Sequence, residues 1–135
     1  AGKRCRAMKA VELFEDLRAS HADRSTRSRI RSLSSLDMLL IEEFGYDDTP
    51  EPRQINDFFR LMDNRCNRKS TIITTNLGFE EWDKFLGNAP LAAALVSRLL
   101  QKCRTIVFPK NAVNLRNPKL GLPARAKNPA ILDAA

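Results

Sequence analysis

The sequence is short of the residues that build metal centres and disulfide frameworks. It has one histidine, His21, and three widely separated cysteines, Cys5, Cys66 and Cys103. No CxxC pair or zinc-type Cys/His spacing occurs, and an odd cysteine count does not make a disulfide framework. The cysteines are therefore expected to be reduced and structural. His21 follows an amphipathic stretch and is expected to end a helix. No apolar run approaches the roughly 18 residues of a membrane span. No charged n-region, apolar h-region and cleavage site mark an export signal, so a cytoplasmic location and no membrane partner are expected. No internal repeat is visible. Acidic residues are absent from Lys84 to Leu132, a stretch that holds nine Lys and Arg.

That last absence makes the charge uneven. Up to Asp83, 14 Lys and Arg face 15 Asp and Glu, whereas the whole chain carries +7 with a pI near 9.8. A long basic segment is a candidate contact for an anionic polymer. A second basic stretch, RSTRSRIRS at 24–32, adds to it. A solvated basic face explains either stretch alone; the two together point toward nucleic acid. The chain of 135 residues is long enough for one domain with its own core.

Hydrophobic spacing sets the expected elements. Residues 8–20 place Ala10, Val11, Phe14 and Leu17 on one helical face. Residues 24–34 predict a second helix with Ile30 and Leu33 inward. MLLI at 38–41 is a continuous apolar run, the pattern of a strand buried on both faces. DDTPEP reads as a turn and helix start, with Thr49 as cap and Pro52 in the first turn. Asp47 and Asp48 are expected to serve that helix start through its dipole. Ile55, Phe58, Phe59, Met62 and Cys66 then form one apolar stripe. STIITTN at 70–76 predicts a second buried strand, so residues 38–76 read as a β-α-β unit with parallel strands. FEEWDKF (79–85) and PLAAALVSRLLQK (90–102) read as helices, with Trp82 and Phe85 in the core. TIVF at 105–108 reads as a third strand. Beyond Pro109 the proline-containing basic tail, residues 109–135, is expected to be irregular.

The stretch LLIEEFGYDD at 39–48 drives a buried strand into acids. In open parallel sheets, chemistry gathers at the carboxyl ends of the strands. Glu42 and Glu43 stand at that end of the first strand and Asn76 at that end of the next. A hard cation wants oxygen ligands. A second carboxylate can orient or deprotonate a water, and an amide can hold a phosphate. Glu42, Glu43, Asp47 and Asp48 could also suggest a metal-dependent nuclease, but no His or Lys partner accompanies the cluster.

These segments carry a resemblance. LLIEEFGY resembles a Walker B segment, and STIITTN resembles the sensor 1 strand of AAA+ ATPases. With RCNRKSTIITTNLGFEEWDKF and LAAALVSRLL in order behind it, the stretch 5–108 resembles the IstB-like ATP-binding family. These are transposition helper ATPases related to the DnaC helicase loaders and the DnaA initiator. The resemblance implies a three-layer αβα P-loop NTPase core with a parallel sheet, spanning residues 1–108. It implies ATP and Mg²⁺ as cofactors, and DNA, a transposase and further copies of the chain as partners. Glu42 would take the Mg²⁺-associated position and Glu43 the water-activating one. Asn76 would be the sensor 1 residue, and Arg98 the finger that reaches a neighbouring subunit's γ-phosphate. Arg65 matches an arginine that precedes the sensor strand, with no assigned role. Arg116 matches an arginine near the family's C-terminus. No GxxxxGK[ST] phosphate loop occurs in the chain. Family order places it upstream of residue 1, so ATPase activity is expected if that region is supplied. The alternative is a non-hydrolysing, nucleic-acid-binding remnant of the same family.

Overall fold

The computed structural model describes residues 2–109 and 130–133. In chain order these form β1 (Cys5–Lys9), α1 (Ala10–Ala22), α2 (Thr26–Ser35), β2 (Met38–Phe44), α3 (Pro52–Arg65) and β3 (Ser70–Thr75). A 3₁₀ turn (Phe79–Glu81), α4 (Trp82–Leu86), α5 (Ala89–Leu100), β4 (Arg104–Val107) and β5 (Ala130–Asp133) follow. They fall into two compact units, divided after Leu99.

The first unit is built on a three-stranded parallel sheet, β1-β2-β3, with β2 in the centre. Met8 lies opposite Ile41, and Ile41 opposite Ile73. Paired residues in a parallel sheet share a face. Met8, Leu39 and Ile41 are buried on one face. On the other, Ala7 and Ile72 are exposed and Leu40 is half-buried. The expectation that both strands are buried on both faces is therefore corrected. A continuous apolar run does not reveal which side lacks a covering layer.

Helix α1 buries Ala10, Leu13, Phe14 and Leu17. Its start is fixed by the Lys9 N–H, which donates to the Glu12 carboxylate at 2.9 Å. Helix α3 starts with Pro52, where no N–H is needed. Glu51, and not Thr49, caps it: the Glu51 N–H donates to Gln54 Oε1 at 2.7 Å. Gln54 Nε2 in turn donates to the Phe14 carbonyl at 2.6 Å, which ties α3 to α1. His21, at the end of α1, lies 2.6 Å from the buried Asp57 of α3. An aromatic cluster closes the core, with Phe44 at ring distances of 4.4 Å from Trp82, 5.0 Å from Phe85 and 5.3 Å from Phe58. Burying each such ring contributes on the order of 2–3 kcal/mol. Trp82 and Phe85 are core residues, as their spacing predicts.

Arg65 is 1% exposed. It donates to the carbonyls of Leu33 at 2.7 Å and Leu36 at 2.9 Å, to the Ser70 carbonyl at 2.5 Å, and to the Thr71 hydroxyl at 2.9 Å. One guanidinium thus joins the end of α2 to the start of β3. A planar fork of five donors suits this use. Burial draws the Arg65 pKa down, opposed by the Asp37 carboxylate.

Two further expectations change. The third strand of the parallel sheet is β1, two of whose residues, Met8 and Lys9, fall within the helix that the spacing predicts. Its sequence, CRAMK, carries charges at Arg6 and Lys9 and has no apolar run. TIVF does contribute a strand, β4, but in the second unit, where it pairs antiparallel with β5, Arg104 opposite Asp133 and Val107 opposite Ala130. The expected irregular tail is thus corrected at Ala130–Asp133; the expectation for residues 110–129 lies outside the described residues. No described helix is long and apolar enough to cross a membrane.

Candidate functional site

Strand β2 carries Glu42 and Glu43 past the last buried pair of the sheet. Its pairing with β3 is in step from Met38 to Ile41, then shifts, so that Phe44 faces Thr75. The two glutamates occupy the irregularity. A bulge of this kind re-aims side chains at the end of a strand. Glu43 adopts φ +58, and Gly45, two residues on, φ +85. A left-handed backbone at a non-glycine residue costs about 1–3 kcal/mol and persists where its surroundings hold it. Here the Glu43 N–H donates to the Thr74 hydroxyl at 3.1 Å, and the Thr75 hydroxyl donates to the Phe44 carbonyl at 2.7 Å. At φ +85 the turn after the acids favours glycine, and a Cβ there would also lie 2.2 Å from Leu77 Cδ1, which would have to move.

Both carboxylates are exposed. Glu43 Oε2 lies 3.1 Å from Lys9 Nζ, at the end of β1. That contact, first through the hydrogen bond and then through the charge, raises the Lys9 pKa above its ordinary 10.5. Glu42 has no ion-pair partner among the described residues. Asn76 follows directly on Thr75 and is exposed. The structure therefore brings Glu42, Glu43 and Asn76 to one rim, at the carboxyl ends of adjacent strands.

Arg98 is not on that rim. It lies on α5 and pairs with Asp63 of α3 at 3.0 Å, while Cys66 Sγ donates to its carbonyl at 3.5 Å. Asp63 is near the end of α3 that leads into the start of β3, which puts Arg98 toward the opposite rim. Arg116 lies outside the described residues. Lys9 meets the Glu43 side chain and Thr74 its backbone, and no motif in the sequence marks either residue. A lysine closing a short strand was the available signal.

No group of three or more His, Cys, Asp or Glu among the described residues is placed to hold a metal ion. Magnesium accompanying a nucleotide does not need one. It takes one or two carboxylates and completes its shell with phosphate and water. An exposed, unpaired Glu42 fits that demand. A groove of ≈ 590 Å³ lies beside this rim, between α1 and the loop from Gly45 to Glu51, and none of Glu42, Glu43, Asn76 and Arg98 lines it.

Comparison with known proteins decides the family. The model of the IstB-like ATP binding protein family matches residues 1–120. The chain belongs to that family. It is 30% identical over 99 residues to a protein named for ATP binding in insertion sequence IS232 of Bacillus thuringiensis subsp. berliner, covering 73% of this chain and 39% of the relative. It is 29% identical over 120 residues to the corresponding protein of insertion sequence IS21 of Pseudomonas aeruginosa, covering 88% and 44%. This IstB-like chain thus spans about two fifths of the length of those relatives. AMPPCP-bound DnaA from Aquifex aeolicus has a similar structure, with a TM-score of 0.57 at 17% identity over 70% of this chain and 29% of that one. DnaA bound to AMPPCP and single-stranded DNA gives 0.58 at 15%, with the same coverage. At such identities the likeness is one of fold: an α/β core built on a parallel sheet with flanking helices.

Proposed function

We propose that this IstB-like chain supplies the acid half of an ATP site that serves DNA transposition. The observation that carries the reading is the exposed Glu42–Glu43 pair, set in a strained bulge at the end of the central strand beside Asn76. Glu42 would hold Mg²⁺, which supplies charge neutralisation on the phosphates when bound. Glu43 would orient the attacking water and accept its proton. Lys9, at 3.1 Å, holds the Glu43 carboxylate at the rim. Asn76 would hold the γ-phosphate and the same water through its amide. Arg98, paired with Asp63 away from Glu42 and Glu43, would serve as a finger for a neighbouring copy's nucleotide. Basic segments would contact DNA phosphates, and the assembled copies would present target DNA to a transposase.

The phosphate loop that must complete such a site, GxxxxGK[ST], does not occur in these 135 residues. Reading the coding DNA upstream of Ala1 tests the proposal. An in-frame loop behind an apolar strand, followed by loss of ATP turnover in Glu43→Gln of the completed protein, would support it. A completed protein in which Glu43→Gln hydrolyses ATP normally would sink it. The basic segments support a second reading, in which the chain binds DNA without nucleotide. That reading expects no binding of a fluorescent ATP analogue but retained, salt-sensitive DNA binding.

A further inference from the structure

Helices α2 and α3 enclose a groove of ≈ 570 Å³ at the amino-terminal ends of β2 and β3. It is lined by five cations, Arg27, Arg31, Arg60, Arg68 and Lys69, and one acid, Asp63. The sequence brings these together from three places: α2, the last turns of α3, and the turn before β3. All five cations are exposed. Asp63 is already paired with Arg98, Lys69 with Asp37 at 2.8 Å, and Arg60 reaches Asp57 at 3.9 Å. Arg27, Arg31 and Arg68 have no acidic partner among the described residues. Arg29, between the first two, turns the other way and pairs with Asp16 at 3.2 Å. Arg27 and Arg31 therefore stand one helical turn apart as like charges, an arrangement that destabilises an isolated helix. Such a cluster lacks its counter-charge within the fold.

We infer that this groove docks the sugar–phosphate backbone of duplex DNA, on the rim opposite to Glu42 and Glu43. Strand β2 has seven residues, so the two rims are about 20 Å apart. DNA and nucleotide then bind at opposite ends of the same parallel sheet. The chemistry favours duplex over single strand. Single-strand sites combine cations with aromatic platforms for the bases. In this groove a single aromatic residue, Phe59, is half-buried against the core, and no second ring joins it to make a platform. What remains is a set of guanidinium groups suited to phosphate oxygens, which positions DNA without reading its sequence. The inference rests on the DNA-binding part of the proposed function and gives it a location.

The test is binding of a 30-base-pair mixed-sequence duplex to the full chain, measured by fluorescence anisotropy across a range of salt. The triple variant Arg27→Ala, Arg31→Ala, Arg68→Ala is expected to bind at least tenfold more weakly at low salt. The slope of log affinity against log salt should fall by about 2 to 3, since each phosphate contact contributes about 0.9. The triple lysine variant at the same positions should recover the slope. The melting temperatures of all three proteins should agree, because the replaced side chains are exposed and unpaired. If the alanine variant binds as the parent does, with the same slope, the groove is not the docking surface, while DNA binding itself stands. If the lysine variant fails to recover, the phosphate account is wrong. If the parent binds no duplex even at low salt, this inference and the DNA part of the proposed function fall together.

Discussion

Lys9 Nζ and Glu43 Oε2 stand 3.1 Å apart across the ends of β1 and β2. They are separated by more than thirty residues in the chain. The pair joins a lysine from a strand that the sequence hides to the acid on which the proposed chemistry depends. The Glu43 N–H is meanwhile held by Thr74 of β3 at 3.1 Å. Lys9 thus holds the side chain, and Thr74 the left-handed backbone, of one residue from both neighbouring strands.

Glu43→Gln should leave the fold intact, because an exposed ion pair contributes about 0–1 kcal/mol. In the protein completed with a phosphate loop it should lower ATP turnover by about 10² to 10⁴-fold, the usual contribution of a positioned base. Nucleotide affinity should stay within a few-fold. Turnover and binding of a non-hydrolysable analogue, measured side by side, check both.

Arg98→Ala breaks an exposed pair with Asp63 and should change stability by less than about 1 kcal/mol. If Arg98 serves a neighbouring copy's nucleotide, the same change should cost turnover about 10³-fold or more in the assembled protein. Mixing the variant with an excess of Glu43→Gln subunits should then restore part of the activity, since each supplies what the other lacks. No recovery in such mixtures would count against a role between subunits.

Arg65→Met should be among the most damaging changes in the first unit. It leaves the carbonyls of Leu33, Leu36 and Ser70 without their donor, and each orphaned group costs about 1–3 kcal/mol. A loss of about 3–5 kcal/mol is expected in urea unfolding. Arg65→Lys should recover a minor part, because one ammonium cannot reach α2 and β3 together.

Asp37 accepts from Lys69 Nζ at 2.8 Å and from the Arg4 N–H at 3.0 Å. The Lys69 contact, then the Arg4 one, lowers its pKa from 3.8 to about 2. A carboxylate whose folded pKa lies below its unfolded value stabilises the fold above the unfolded value. That contribution is present above about pH 4 and is lost as pH falls through about 2. Asp37→Asn should therefore flatten the fall in melting temperature between pH 5 and pH 2 and leave the alkaline side unchanged.

Gly45→Ala places a side chain at φ +85 and 2.2 Å from Leu77 Cδ1. Leu77 can shift, so the backbone conformation sets the cost, about 1–3 kcal/mol. The same change should disturb Glu43, two residues earlier. A rise in proteolytic cleavage near residues 45–50, beyond what the lost stability explains, would show that the turn holds the acids in place.

Much of the site was legible because its signals are local. LLIEEF is an apolar run ending in acids, STIITTN is β-branched, and the α3 stripe repeats at helical spacing. Their order along the chain carried the family resemblance without any contact being known. Boundaries were less legible: Lys9 looked helical because the residues after it are, and Thr49 looked like a cap although Glu51 takes that place. Arg65 lay inside the motif, but its charge gave no hint that it would be buried, since arginine is mostly exposed.

The sequence by itself determined the α/β class, the central strand and its acids, the crossover helix, and membership of the IstB-like family. Periodicity and motif order are one-dimensional, and neighbouring residues set them. Tertiary structure alone decided that β1 and not β4 completes the parallel sheet, and that Lys9 meets Glu43. It also decided that Arg98 faces Asp63 at the far rim, and that arginines of α2 and α3 share one groove. Those relations join residues some thirty positions apart. They depend on strand register and helix packing, which are settled when the core closes as a whole.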